Sequence, residues 1–273
     1  MKKMFAPIIS AAELRHVKKA CDAGKSSIEL SLDLGLTKTR ITLEKEGMIV
    51  NNTLVPLPKI RDDDKTCYLL ENNKWQKLQI FSPVTKLMYK LIPTKGRPLL
   101  QVSGTSMHKQ SFIERIEKEQ LQGTILDAGT GLGYTAITAA QTAKQVITIE
   151  HDPTILELQN INPWSQELFT RKNITQVEGD LPQYIKKLPQ ASFDNIIYDA
   201  GAPRSSGMFF SLENYAETFR ILKRKGKLLH YLPRPQIQAG RDFAAEVIKR
   251  LQEIGFTLIE RNREDCYVIL QKP

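Results

Sequence analysis

The stretch ILDAGTGLGYTA, residues 125–136, decides the fold. It begins as a buried strand that includes Asp127, continues with glycines at positions 129, 131 and 133, and ends as a helical pattern. Glycines allow a tight turn and let a ligand approach the backbone closely. The loop departs from the G-x-G-x-x-G pyrophosphate pattern because Tyr134 stands at the third glycine position, and it lacks the Lys-Ser/Thr pair of a nucleotide-triphosphate loop. It predicts a ligand site directly after a strand.

Helical and strand patterns alternate on both sides of this loop, from about residue 108 to the end of the chain. Such alternation is typical of an α/β, doubly wound Rossmann-like sheet with mostly parallel strands, whose ligands bind at the carboxyl ends of the strands. The chain ends with two strand patterns, FTLIE and CYVILQK, which are joined only by a short polar turn. We therefore expect an antiparallel hairpin at one edge of the sheet.

The N-terminal part has a different pattern. Residues 11–24 predict a short helix, and residues 25–83 alternate apolar and polar side chains with the period of half-buried antiparallel strands. Residues 84–108 contain Pro93, Gly96 and Pro98 and are interpreted as a connecting stretch. We expect a mostly-β domain with a linker over residues 1–104 and a second domain over residues 105–273.

Composition excludes several classes of protein. The chain is 41% hydrophobic and 25% charged, which is ordinary for a globular protein, and no apolar run is long enough to cross a bilayer. The N-terminus lacks the apolar core of a signal peptide. The three cysteines are scattered and lack metal-ligand spacing, which favours a cytoplasmic location over a disulfide framework or a zinc site.

The net charge of +9 is uneven. Residues 1–108 hold 18 Lys and Arg against 10 Asp and Glu, whereas residues 109–273 hold 21 against 20. This asymmetry has two equally good interpretations: an acidic partner such as RNA, or a basic surface that only keeps the protein in solution.

Acidic residues follow the predicted strands in a fixed order. Glu150 closes the second strand, Gly179-Asp180 follows the third, and Asp199 follows the fourth. A carboxylate after the second strand can accept hydrogen bonds from both hydroxyls of a ribose. A single acid of this kind is more often a helix cap or a surface turn, but the ordered set indicates a cofactor site.

The glycine loop and this order of acids resemble the class I S-adenosylmethionine-dependent methyltransferases, over roughly residues 105–273. The resemblance implies S-adenosylmethionine as cofactor, with its methionine end against the glycine loop, its ribose on Glu150 and its adenine near the next two loops. The residues so implicated are Asp127, Gly129, Thr130, Gly131, Gly133, Glu150, His151, Asp152, Gly179 and Asp180.

The segments VSGTSMH, INPWSQELF, FDNIIYD and LLHYL further resemble a group of predicted archaeal methyltransferases with a small N-terminal β domain. In that group an Asp-Pro-Pro-Arg-like motif ends the fourth strand, whereas this chain reads Asp199-Ala200-Gly201-Ala202. The rigid prolines and the aromatic residue of amine methyltransferases are missing, which counts against methylation of a nucleobase amine. Carbon-5 methylation of pyrimidines needs a nucleophilic cysteine near the fourth or fifth strand. The sequence has no cysteine in those segments, so this reaction is excluded.

The remaining candidates concern the methyl acceptor. Asp199 is the first choice for orienting the acceptor or taking its proton, and His230 at the end of the fifth strand is the second. His230 is equally well explained as a packed histidine. Arg204, Tyr198 and Tyr231 are the candidate substrate-binding residues, and the reaction needs no metal ion.

Two other functions stay open beside a methyltransferase acting on an unidentified acceptor, with RNA favoured. One is aminopropyl transfer from decarboxylated S-adenosylmethionine to a polyamine, as in spermidine synthases. Those enzymes typically carry acids in the first loop, and the sequence GTGLGYT has none. The other is an RNA-binding protein that has kept the cofactor fold without catalysis.

Overall fold

The structure is a computed structural model and describes residues 6–107, 110–199, 207–232 and 242–273. The chain divides into two compact units, which are Met1–Met107 with Glu157–Trp164, and His108–Leu156 with Ser165–Pro273. We call them the first unit and the second unit. Within the described residues, no helix combines the length and the apolar composition needed to cross a membrane.

The first unit is built from short antiparallel strands and one helix. Its elements are β1 (Ile8–Ser10), α1 (Ala11–Asp22), β2 (Ser27–Leu30), β3 (Thr39–Glu44), β4 (Gly47–Val50), β5 (Thr53–Pro56), β6 (Cys67–Glu71), β7 (Lys74–Lys77), β8 (Gln79–Phe81), β9 (Met88–Ile92), β10 (Leu99–Val102) and β11 (Thr105–Ser106). The strands form three sheets in the orders β1-β6-β7, β2-β3-β4-β5 and β11-β10-β9-β8.

Helix α1 begins at a capping box. The Ser10 hydroxyl accepts the Glu13 N–H at 3.1 Å, and the Glu13 carboxylate accepts the Ser10 N–H at 3.3 Å. The buried face of the helix, with Leu14 and Val17, packs into a core that also contains Met48 from β4. Burial of these side chains between helix and strands stabilises the unit.

The stretch interpreted as a connection, residues 84–108, contains three strands. Strand β9 pairs with β8 and β10, and β10 pairs with β11, all antiparallel. Pro93, Gly96 and Pro98 lie together in the turn between β9 and β10. The breakers therefore mark one turn of a sheet, and the linker interpretation is corrected.

The second unit alternates helices and strands. Its elements are α2 (Gln110–Glu119), β12 (Thr124–Ala128), α3 (Tyr134–Ala139), β13 (Gln145–Glu150), α4 (Pro153–Ile161), α5 (Glu167–Thr170), β14 (Ile174–Glu178), α6 (Leu181–Ile185), β15 (Phe193–Tyr198), α7 (Leu212–Ile221), β16 (Leu222–Tyr231), α8 (Phe243–Ile254), β17 (Thr257–Asn262) and β18 (Tyr267–Gln271). The later part of α4 groups with the first unit.

Seven strands form one sheet in the order β14-β13-β12-β15-β16-β18-β17. The first five are parallel, and β18 runs antiparallel to both β16 and β17. One apolar cluster joins the sheet to α6, α7 and α8, and a second joins it to α2, α3 and α5. The mostly parallel sheet predicted from the sequence is confirmed.

Candidate functional site

The carboxyl ends of the central strands meet at one edge of the large sheet. Ala128, the last residue of β12, pairs with Ile149 of β13 on one side and with Tyr198 of β15 on the other. The loops that start at Gly129, Glu150 and Asp199 are therefore neighbours. The strand order reverses between β12 and β15, and α/β sheets bind ligands in the crevice at such a switch point.

The glycine loop is held against the end of β13. The N–H of Thr130 donates to the Ile149 carbonyl at 3.0 Å, and the N–H of Gly131 donates to Oε2 of Glu150 at 3.0 Å. Gly133 is the N-cap of helix α3 with φ +81°, and a Cβ there would lie 2.3 Å from Cδ1 of Leu168. The left-handed backbone and the packing against Leu168 together explain a glycine at this position without a ligand.

Glu150 is the buried carboxylate that fixes this arrangement. Its Oε1 accepts the backbone N–H groups of His151 at 2.9 Å and Asp152 at 3.1 Å, while Oε2 accepts Gly131. Burial raises the pKa of Glu150, although the backbone donors oppose that shift. Because a carboxylate oxygen has two lone pairs, Oε2 keeps room for one more donor.

Asp127 is a second buried carboxylate, one strand away. Its Oδ2 accepts the Thr148 hydroxyl at 2.7 Å, and that hydroxyl lies 2.6 Å from the Thr130 hydroxyl. Among the described residues, its Oδ1 and the Thr135 hydroxyl both lack a partner in standard hydrogen-bond geometry. Burial raises the pKa of Asp127 to about 7; the hydroxyls of Thr148 and Thr135 oppose this shift, and the charges of Asp199 and Glu150 add to it. A buried acceptor with an open position is suited to a cationic donor.

The loops after β13 and β14 supply polar groups next to Glu150. His151 is exposed, with Nδ1 3.5 Å from Oε1 of Glu150. The N–H of Gly179 donates to the Glu150 carbonyl at 2.8 Å. Asp180 is exposed at the start of α6 and, within the described part of the chain, makes no side-chain capping bond to that helix. These residues lie on the Glu150 side of the switch point.

Asp152 is placed differently from its neighbours. It is fully buried, and its Oδ1 accepts the N–H of Thr154 at 2.9 Å in the first turn of α4. An acid that caps a helix satisfies one of the unpaired N–H groups at the helix start. The geometry gives Asp152 a capping role and argues against a contact with adenine.

Asp199 occupies the predicted place on the other side of the glycine loop. It is half-buried, and its N–H donates to the Ala128 carbonyl at 3.3 Å. Arg204, predicted to bind substrate, lies outside the described residues. Tyr231 is half-buried at the end of β16, with its ring 5.8 Å from that of Phe112. Of the acceptor-side candidates, Asp199 and Tyr231 are therefore the partly accessible ones.

Tyr198 points away from the crevice and is fully buried. Its hydroxyl bonds to the Thr218 hydroxyl and accepts Nδ2 of Asn214 at 3.2 Å. Burial raises its pKa to about 12, so the phenol stays protonated at neutral pH. This placement favours a packing role over substrate binding.

His230 is also fully buried. Its Nε2 lies 2.9 Å from the Tyr215 hydroxyl, and its ring stacks on Phe210 with the centroids 5.6 Å apart. Burial lowers its pKa to about 3, which leaves the ring neutral. A buried imidazole without access to the crevice argues against general-base catalysis and for the packed-histidine alternative.

Sequence reasoning missed Asn214. Its Nδ2 donates to the Tyr198 hydroxyl and, at 2.9 Å, to the Phe209 carbonyl. One side chain thus holds residues on both sides of the segment that starts at Asp199. The available signal was a polar pair, Asn214 and Thr218, on the buried face of helix α7.

The chain is similar to a protein known from its sequence and to proteins of known structure. A protein of Methanocaldococcus jannaschii, the uncharacterized protein MJ1233, is 33% identical, over 94% of this chain and 93% of that protein. No protein-family model matches the chain. A spermidine synthase in complex with the transition-state analogue AdoDATO superposes with a TM-score of 0.58 at 17% identity, covering 76% of each chain. The spermidine synthase from Thermotoga maritima gives 0.57 at 16% identity, covering 76% of this chain and 75% of that one. At these identities the likeness shows a shared fold.

Proposed function

The chain belongs to the same family as MJ1233 of Methanocaldococcus jannaschii, and we propose that it is an S-adenosylmethionine-dependent methyltransferase. One observation carries the proposal. At the switch point of the sheet, Glu150 holds the glycine loop through the Gly131 N–H and keeps an acceptor position on Oε2. A buried acid of this kind, set between a glycine turn and two further strand ends, suits a ribose.

The residues present fit the polar groups of the cofactor. S-adenosylmethionine carries an ammonium group, and the open Oδ1 of Asp127 would accept a hydrogen bond from it. One ribose hydroxyl would donate to the remaining acceptor position on Oε2 of Glu150. His151 and Asp180 are exposed beside Glu150 and would flank the adenine, with Asp180 accepting from its exocyclic amine.

When bound, S-adenosylmethionine supplies an activated methyl group on a sulfonium. The task of the chain is then to align the acceptor with that methyl and to exclude water. Asp199 is half-buried next to the glycine loop and would orient the acceptor or take its proton. With His230 neutral and buried, Asp199 is the acid–base group that this proposal retains.

Aminopropyl transfer is the rival enzymatic function, because the fold is shared with spermidine synthases. Two features favour methyl transfer. Residues 128–149, which include the whole glycine loop, contain no Asp or Glu that would attract a polyamine. The net charge of +9 also disfavours a cationic acceptor. A non-catalytic RNA-binding protein would have no need for a buried acid with an open position.

Calorimetric titration with S-adenosylmethionine and with its decarboxylated form tests the proposal. We expect micromolar binding of S-adenosylmethionine and weaker binding of the decarboxylated form. Glu150→Ala should weaken binding about tenfold or more, since a hydrogen bond to a charged group contributes about 1.5–3 kcal/mol. Glu178→Ala is the matched control, because Glu178 pairs in register with Glu150 but is exposed. Tighter binding of the decarboxylated form, or no binding of either, contradicts the proposal.

A further inference from the structure

The positive charge of the first unit is concentrated in one stretch. Residues 6–71 carry ten Lys and Arg and ten Asp and Glu, so their charges cancel. Residues 72–107 carry six cationic residues and no acidic one. The six are Lys74, Lys77, Lys86, Lys90, Lys95 and Arg97. This stretch is the part of the chain that forms strands β7–β11.

Three of these lysines follow strand β9 from end to end. Lys86 lies in the turn before β9, Lys90 lies within the strand, and Lys95 lies in the turn after it. Lys86 and Lys95 are exposed, and Lys90 is half-buried. At the rise of an extended strand, four residues span roughly 13 Å. With Lys86 and Lys95 in the turns at the two ends of β9, the three lysines are widely spaced cations.

An exposed aromatic ring stands on the same face of the sheet as Lys90. Lys90 pairs in register with Gln79 of β8 and Gln101 of β10, which places all three side chains on one face. Phe81 follows Gln79 by two residues and so shares that face; it is 53% exposed. The other face carries the buried side chains of Tyr89, Leu91 and Leu100.

We infer that this face of the β8–β11 sheet is a docking surface for a single strand of RNA. The inference deepens the proposed function, on which it rests, by naming RNA as the class of methyl acceptor. Each of these widely spaced lysines can neutralise a separate phosphate of an extended strand, and an exposed aromatic ring offers a stacking platform for an unpaired base. The amides of Gln79 and Gln101 both donate and accept, which suits base edges and ribose 2′-hydroxyls. Residues 72–107 contain no carboxylate, and of their lysines Lys77 pairs with Asp64 from outside the stretch.

Fluorescence anisotropy with a labelled single-stranded RNA of mixed sequence, over a range of salt concentrations, tests the inference. The sheet variant is Lys86→Glu, Lys90→Glu, Lys95→Glu. The control variant, Lys18→Glu, Lys25→Glu, Lys45→Glu, changes the net charge equally at exposed sites outside the stretch. Each phosphate contact contributes about 0.7 to the salt slope for single strands. The sheet variant should therefore lose a slope of about 2 and bind at least about tenfold more weakly at low salt, with the control variant unchanged.

Two further variants sharpen the test. Phe81→Ala should weaken binding by about fivefold or more, since stacking is typically worth about 1–3 kcal/mol per base, and should leave the salt slope unchanged. A double variant, Lys86→Glu with Lys95→Glu, avoids the half-buried Lys90 if the triple variant fails to fold. Calorimetry with S-adenosylmethionine should show full cofactor binding in every variant.

The inference is overturned if the wild type does not retain RNA at low salt, or if the two triple variants lose equal affinity. It is also overturned if double-stranded RNA or phosphatidylserine vesicles bind as tightly as the single strand and respond to the same variants. Because cofactor binding is measured separately, loss of the RNA surface and failure of the methyltransferase proposal are distinguishable.

Discussion

Asp127 should make cofactor binding depend on pH. Its carboxyl group is buried, its pKa is raised to about 7, and its open Oδ1 is the acceptor proposed for the cofactor ammonium. Only the ionised form binds a cation well, so protons compete with the ligand. From that pKa, about 3% of Asp127 is ionised at pH 5.5 and about half at pH 7.0. The dissociation constant for S-adenosylmethionine should therefore fall about fifteenfold between these two pH values.

Calorimetry measures this dependence in two independent ways. The titrations end at pH 7.0 because the ammonium of S-adenosylmethionine is an α-amino group, and such groups lose their proton near pH 7.7–8.0. At pH 7.0 binding should release about half a proton, which appears as a dependence of the binding heat on the buffer. Asp127→Asn should bind weakly and with little pH dependence. His151→Gln, which changes the exposed side chain beside Glu150, is the control and should keep the slope. An affinity that is flat from pH 5.5 to 7.0, or an unchanged slope in Asp127→Asn, would refute the reasoning.

Three predictions concern stability. Because the pKa of Asp127 is higher in the folded than in the unfolded state, its ionisation costs stability above pH 7 and nothing well below pH 3.8. Asp127→Asn should therefore raise the melting temperature at pH 8 by calorimetric scanning, and that gain should disappear at low pH. Asn214→Ala leaves the Phe209 carbonyl without this donor and should lower the unfolding free energy in urea by about 1–3 kcal/mol; a loss near zero contradicts the role of the amide. Gly133→Ala should lower the unfolding free energy by more than about 2 kcal/mol in the same assay, because φ is +81° and the added Cβ meets Leu168. Gly179→Ala is the control: an added Cβ there has no atom within 4 Å, so the unfolding free energy should change by no more than about 0.5 kcal/mol.

The second unit was predictable because its local signals agree with its tertiary structure. Apolar runs such as QVITIE and FDNIIY suit strands buried on both faces, and they are β13 and β15. The two adjacent strand patterns at the end of the chain are β17 and β18, which pair antiparallel. In each case the pattern within one segment was enough, since strand type and burial follow from periodicity.

Other elements depend on partners distant in sequence. Strand β16 begins at Leu222, directly after helix α7 ends at Ile221, and it contains a strongly basic run at residues 223–227. Lys223 pairs with Asp194 of β15, and Lys227 pairs with Glu119 of α2. Similarly, the short strands β9–β11 are held by their neighbours rather than by their own composition. Local propensity is a weak guide where pairing decides.

The candidate site was predictable only in part. The order of acids at strand ends locates Glu150, Asp180 and Asp199 from sequence, because parallel strands bring their carboxyl ends together. The direction of each side chain was not predictable. Tyr198 and His230 pair in register at strand ends, yet both side chains lie in the core among Thr218, Asn214 and Tyr215.

The by-product of turnover tests the central claim most directly. The full chain is incubated with S-adenosylmethionine or with its decarboxylated form, each with a total RNA fraction and with a polyamine fraction, and the nucleoside by-products are separated by chromatography. We predict S-adenosylhomocysteine from S-adenosylmethionine, formed with RNA as the acceptor and reduced about tenfold or more in Glu150→Ala when the cofactor is limiting. Methylthioadenosine formed from the decarboxylated donor with the polyamine fraction, without consumption of S-adenosylmethionine, would contradict the account.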